Sequence, residues 1–273
     1  MFQSVPAQPV LRISRFVVTA DDLGHGSAQT RAIVECLERE HVTHASLIVN
    51  LEGFDEACAL VRGGRFEHRI GLHLNFTDGV PLTDPMKRSK RFCVDGRFRF
   101  PMLGRGLAAL PSEDRQTVQD EAAAQFARAR RAGFQITHFD SHHHVHTVPS
   151  LASVLLPLAA TLGVRRVRRY SNCKPPRGWF RRVTDAVYGR QLGRMGFETT
   201  QYFGDLDDLE WIVRHGRSID GSVELMTHPT LSADGTIVDG IDKKKLTDRL
   251  LTLRPYVPGL IDEAGKVRFS VAP

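Results

Sequence analysis

Short apolar runs alternate along the chain with longer stretches in which apolar residues recur at helical spacing. Phe16–Ala20 (FVVTA) reads as a buried strand. Ser27 reads as the N-cap of a helix whose Ala28, Ala32, Cys36 and Leu37 share one face. Ala45–Asn50 (ASLIVN) reads as a second strand, followed by a helix over Phe54–Val61, and Ile70–Asn75 (IGLHLN) as a third. From Thr77 to Leu110 the pattern breaks into a Gly-, Pro-, Arg- and Lys-rich stretch, a long excursion of the kind that usually serves function. Pro111 and Ser112 open a helix carrying Val118, Ala122 and Phe126, closed by Gly133. Ile136–Asp140 (ITHFD) is the next strand, then a helix from about Ser150 to Leu162 stopped by Gly163. Strands over Arg165–Tyr170 and Gly221–Thr227 and a helix over roughly Asp242–Leu253 complete the pattern.

Strand and helix in alternation predict an α/β fold, a parallel sheet with helices outside. The 273 residues suit a single barrel of such units. No shift in composition marks a boundary, so one domain over 1–273 is expected, with a flexible segment at 1–14 and an insertion near the active site at 77–110. An apolar fraction of 41% and a charged fraction of 25% exclude a disordered chain. No run approaches the roughly 20 apolar residues of a membrane span. Met1–Arg15 lacks the apolar segment of a signal peptide, which makes the cytoplasm the expected location.

Cys36, Cys58, Cys93 and Cys173 form no CxxC pair, which excludes a zinc ribbon or thioredoxin-like motif. Cys36 and Cys58 read as buried packing, and all four as reduced thiols. The net charge of +6 is concentrated in Arg165, Arg166, Arg168, Arg169, Lys174, Arg177, Arg181 and Arg182. This stretch fits a solvated face, an anion-attracting rim over an active site, or a nucleic-acid surface. Sparse aromatic residues and the lack of a known motif weigh against the last.

Asp21 and Asp22 follow the first predicted strand, and His73 lies near the end of the third. His142, His143, His144 and His146 follow the fourth, and His228 follows the late GSVELMT run. In parallel barrels these strand ends share one face, where active sites lie. Each signal alone has a bland reading. Adjacent aspartates cap helices, His73 between Leu72 and Leu74 fits a core histidine, and Pro229 after His228 fixes a turn. Together they point to a catalytic divalent ion, which needs about three protein ligands and an open position for water. Mixed imidazole and carboxylate donors suit Zn, Co or Ni better than Mg. Such an ion lowers the pKa of bound water and polarises an acyl oxygen. One aspartate can ligate while its neighbour accepts the water's proton, and a facing histidine can protonate a leaving nitrogen.

VVTADDLG, ASLIVN, GLHLNFTDGVPL, THFDSHHHVHTVP and ELMTHP resemble the successive motifs of the YdjC-like carbohydrate deacetylases, from about Phe16 to Pro229. That family includes chitooligosaccharide and hopanoid-biosynthesis-associated deacetylases. The resemblance implies an irregular (β/α) barrel of the polysaccharide-deacetylase type with mostly parallel strands. It implies one divalent ion, Mg or Zn, held by Asp22, His73 and His142, with Asp21 as base and His228 as acid. The implied substrate is an N-acetylated sugar, oligosaccharide or glycolipid. Leu23 stands where many relatives carry Phe, which leaves the ligands intact. Arg168, in the basic stretch, is expected to bind substrate. No nucleic acid and no membrane span is expected, and a homodimer is compatible with the sequence. The competing readings are another metallohydrolase, such as a phosphoesterase acting on an anionic substrate, and a metal- or nucleic-acid-binding module without enzymatic activity. The latter would not need Asp21.

Overall fold

The computed structural model describes residues 11–62, 66–99, 109–136, 138–174 and 179–268. Most of the expected flexible segment 1–14, part of the 77–110 excursion and Arg177 of the basic stretch lie outside them.

Seven parallel strands form the main sheet. They are β1 (Leu11–Leu23), β2 (His44–Leu47), β3 (Ile70–Leu74), β6 (His138–Ser141), β7 (Arg166–Val167), β8 (Tyr202–Asp205) and β9 (Ile219–Thr227). Their order is β7-β6-β3-β2-β1-β9-β8, with every adjacent pair parallel. The sheet curls until its ends approach. Glu198, just ahead of β8, bridges in parallel to Arg166 of β7, and Val167 donates its N–H to the Glu198 carbonyl. The predicted barrel of mostly parallel strands is the observed architecture. The strands β2 and β3 are buried at every position, as strands covered on both faces must be.

The helices are α1 (Ser27–Glu38), α2 (Phe54–Val61), α3 (Asp84–Arg88), α4 (Ser112–Arg131), α5 (Pro149–Thr161), α6 (Trp179–Arg194), α7 (Leu206–Arg214) and α8 (Leu246–Leu253). The expected helix positions are occupied, with shifted ends. Gly26, not Ser27, caps α1, and Ser27 is its first helical residue. The last helix starts at Leu246 rather than Asp242, because Asp242 turns back to bind the Lys244 N–H and Arg249. The strand expected over Arg165–Tyr170 keeps strand pairing only at Arg166–Val167. Phe16, Val18, Ala20, Leu37, Phe126, Phe139 and Leu155 belong to one continuous core, and all four cysteines are free and buried.

The Thr77–Leu110 excursion is not shapeless where it is described. It holds α3 and a small hairpin of β4 (Cys93–Val94) and β5 (Arg97–Phe98). Asp95 and Gly96 turn that hairpin, with φ of 51° and 73°. Only a short list of residues takes two positive φ values in succession, and Asp-Gly is among them. A second hairpin, β10 (Pro229–Leu231) with β11 (Ile237–Asp239), follows β9. The elements α6, β8 and α7 fall where no periodicity was legible. In β8 the sequence is YFGD, and Asp205 forms a reciprocal capping box with Asp208 to start α7.

A candidate metal centre at the strand ends

β1 bulges against β2. Ala20 pairs with Ala45, but Leu23 pairs with Leu47, so one extra residue is accommodated between them. Asp22 takes the left-handed conformation there, with φ 73°. An unbroken strand would send Asp21 and Asp22 to opposite faces. The bulge brings both beside His73. Asp tolerates this conformation better than most residues, and the local cost is on the order of 1 kcal/mol. Gly24 follows at φ 85°, and a Cβ there would lie 2.6 Å from the Ile48 carbonyl oxygen, so only glycine fits.

Asp22, His73 and His142 offer ligand atoms that lie within 4.8 Å of one another. His142 comes from the segment directly after β6, which pairs His73 with Asp140 and Leu74 with Ser141. Asp22 Oδ1 is 2.9 Å from His142 Nδ1 and 3.4 Å from His73 Nε2. That oxygen is buried and has no hydrogen-bond partner among the described residues. Three donors that converge without satisfying one another fit a bound cation. Burial raises the Asp22 pKa, but the close approach of His142 and His73 outweighs it and holds the carboxyl well below the usual range.

His73 Nδ1 donates to Asp140 Oδ1 at 2.7 Å, which leaves Nε2 directed at Asp22. Asp140 also accepts from Ser46 Oγ at 2.9 Å and from Arg168 Nη1 at 2.6 Å. Arg168 is itself buried. It grips Asp21 through Nη1–Oδ2 at 2.6 Å and Nη2–Oδ1 at 2.8 Å, and donates from Nε to Glu224 Oε1 at 2.8 Å. Its pKa is lowered by burial but raised further by Asp140, Asp21 and Glu224, so it stays charged. Asp21, Asp140 and Glu224 share one guanidinium, Asp22 adds a fourth carboxylate to the site, and the excess negative charge favours a divalent cation. The charge also shows in His73. Burial pushes its pKa down, yet Asp140, Asp21 and Asp22 lift it to about 10 when no ion is bound.

The later histidines of HFDSHHHVH do other things. His143 bonds Thr77 Oγ1 at 2.9 Å. His146 accepts from Ser141 Oγ at 2.6 Å and donates to the Arg168 carbonyl at 3.1 Å. His144 packs edge-on to Phe203. His228 leaves β9 directly after Thr227, which pairs with Ala20, so it emerges level with Asp21. Its N–H binds Asp239 at 3.0 Å. Arg168, expected on a substrate-facing rim, is instead enclosed among carboxylates. Sequence reasoning overlooked Asp140 and Glu224. Asp140 carried a signal, as the carboxylate two residues before His142, while Glu224 sits in an ordinary strand pattern. A second convergence, His25, Asp78 and His142, lies beside the first.

The model of the YdjC-like protein family matches residues 15–263. The chain belongs to that family. Among the proteins it is similar to, a carbohydrate deacetylase of Brevibacillus brevis is 36% identical over 148 residues, 53% of this chain and 55% of that one. A carbohydrate deacetylase of Danio rerio is 30% identical over 155 residues, covering 56% and 49%. A chitooligosaccharide deacetylase of Escherichia fergusonii is 35% identical over 149 residues, covering 54% and 56%. The YdjC-like chain spans about half the length of the curated relatives it matches. A crystal structure from Enterococcus faecalis V583, provisionally named a cellobiose-phosphate cleavage protein, superposes with a TM-score of 0.62 at 20% identity. It covers 82% of this chain and 83% of its own, and shows the shared fold.

Proposed function

We propose that this YdjC-like chain is a metal-dependent hydrolase that removes the acetyl group from an N-acetylated sugar or oligosaccharide. The observation that carries the reading is the convergence of Asp22, His73 and His142 beside an Asp21 held by Arg168. The names of the relatives support that substrate class. A divalent ion on those three ligands would supply an activated water and polarise the acetyl carbonyl. Asp21 takes the proton from the water as the C–O bond forms, and Arg168 fixes which way its carboxylate faces. His228 gives a proton to the nitrogen as the C–N bond breaks, releasing acetate and the free amine. Arg168 thus acts on the substrate through Asp21, not by contact. Mg and Zn remain the two candidate ions. The alternative is a phosphoesterase acting on an anionic substrate, which the deacetylase names of the relatives do not favour.

The test is acetate release from N-acetylglucosamine oligomers by chelator-treated protein reloaded separately with Mg, Zn or Co. Release that depends on added ion is expected. Phosphate release from esters, with no acetate from any N-acetyl sugar, would overturn the assignment.

A further inference from the structure

The outward face of α6 is unusual in this molecule. Trp179, Val183 and Val187 recur every four residues and are 76%, 51% and 52% exposed. This spacing puts them on one side of the helix. Tyr188 and Leu192, on the other side, are buried. Tyr188 Oη donates to the Arg168 carbonyl at 3.3 Å, so the inner face of α6 rests against the residue that grips Asp21. Arg182, Arg190 and Arg194 are exposed, and none forms an ion pair among the described residues. Asp185, the one carboxylate of the helix, turns to Arg169. Next to the stripe, an open groove of about 420 Å³ is lined by Val187, Arg190, Gln191, Arg194 and Met195. Its apolar floor and paired guanidiniums suit a molecule that is anionic at one end and hydrocarbon at the other.

We propose that the outward face of α6 docks on an anionic lipid bilayer surface. A helix that exposes Trp and aliphatic residues and carries arginines on the same face at its C-terminal end can seat in the headgroup boundary, the arginine stems reaching back to the phosphates. Trp179 and the two valines enter the acyl margin, while Arg190 and Arg194 hold lipid phosphates over the groove. A second copy of this chain fits less well, because the contact would gather Arg182, Arg190 and Arg194 of both copies, and the one carboxylate of each helix, Asp185, already turns to Arg169. Nucleic acid would use the arginines but leave the aliphatic stripe exposed. The docking goes beyond the deacetylase reading and does not rest on it.

The experiment is flotation of the full chain with phosphatidylcholine vesicles containing or lacking phosphatidylglycerol. Binding to the anionic vesicles alone is expected, weakening as salt rises. Arg190→Gln with Arg194→Gln should lower the partition coefficient roughly 30-fold, from the usual contribution of each surface cation. Val183→Asp with Val187→Asp should abolish binding. Acetate release from a soluble oligosaccharide should stay at the wild-type rate in both. Trp179 and Trp211 are the only tryptophans. In a Trp211→Phe background, quenching of Trp179 by brominated lipid tests the same contact without altering α6. Failure of the wild-type chain to float, equal binding to neutral vesicles, or unquenched Trp179 would overturn the proposal. So would a dimer in solution that the arginine substitutions dissociate, or arginine-dependent DNA binding without vesicle binding. None of these outcomes bears on whether acetate is released.

Discussion

Arg168 grips Asp21 with two parallel hydrogen bonds, 2.6 and 2.8 Å long, reaching from the end of β7 to the bulge of β1. The same guanidinium also bonds Asp140 and Glu224. It therefore balances three carboxylates that the curled sheet brings inside. Replacing it with Met should leave these charges buried and unpaired, at a cost of about 3–5 kcal/mol. Arg168→Lys keeps the charge but loses the fork, and should fall between Met and wild type. Thermal unfolding of both variants checks this. An Arg168→Met protein as stable as wild type would mean that the carboxylates are not held ionised by Arg168.

Asp21 and Asp22 should separate on substitution. Asp21→Asn should keep the ion but lose turnover by about 10²–10⁴-fold if Asp21 is the base. Asp22→Asn should lose the ion itself. Metal content measured beside acetate release distinguishes them. Equal metal loss in both variants would make Asp21 a ligand, and full activity in Asp21→Asn would remove the proposed base.

Asp140 orients His73 without reaching the ligand cluster's Asp22. Asp140→Asn should therefore weaken metal affinity by about 10–100-fold while excess metal restores much of the acetate release. An affinity equal to wild type by calorimetry would remove the positioning role.

Buried histidines set the acid limb of stability. Burial pushes His138 and His146 down to about 3, and neither ring nitrogen of His138 has a hydrogen-bond partner among the described residues. In the unfolded chain both take a proton near 6.5. Their contribution is present above that pH and is lost as pH falls toward 3. At pH 5 each removes about 2 kcal/mol. His73 has the opposite sign. Held protonated up to about 10, it stabilises the metal-free protein fully below 6.5 and loses that effect as pH rises. Chelated protein should thus be most stable near pH 6.5. Bound metal should flatten the alkaline limb, because a ligating His73 must be neutral. Urea midpoints across pH, with and without metal, test both limbs. A chelated protein equally stable at pH 5 and 6.5 would contradict the buried-histidine account.

The barrel and its first four strands were legible because buried parallel strands are short apolar runs and their helices carry a clear apolar face. The region from α6 to α7 was not. In α6 the apolar residues divide between a buried side, Tyr188 and Leu192, and an exposed side, so no single stripe stands out. The small hairpin in the excursion carried an Asp-Gly signal, but strands of two residues are too short for alternation to register.

The sequence by itself determined which residues stand at strand ends, since Asp21, Asp22, His73, His142 and His228 each follow or close an apolar run. Only the tertiary structure decided how they are joined. The bulge that turns Asp22 into the left-handed region depends on the pairing of β1 with β2, a contact between residues far apart in sequence. The place of Arg168 was decided in the same way. A cation in a basic stretch reads as surface until the sheet curls and closes it against carboxylates from β1, β6 and β9, whose charge makes burial favourable.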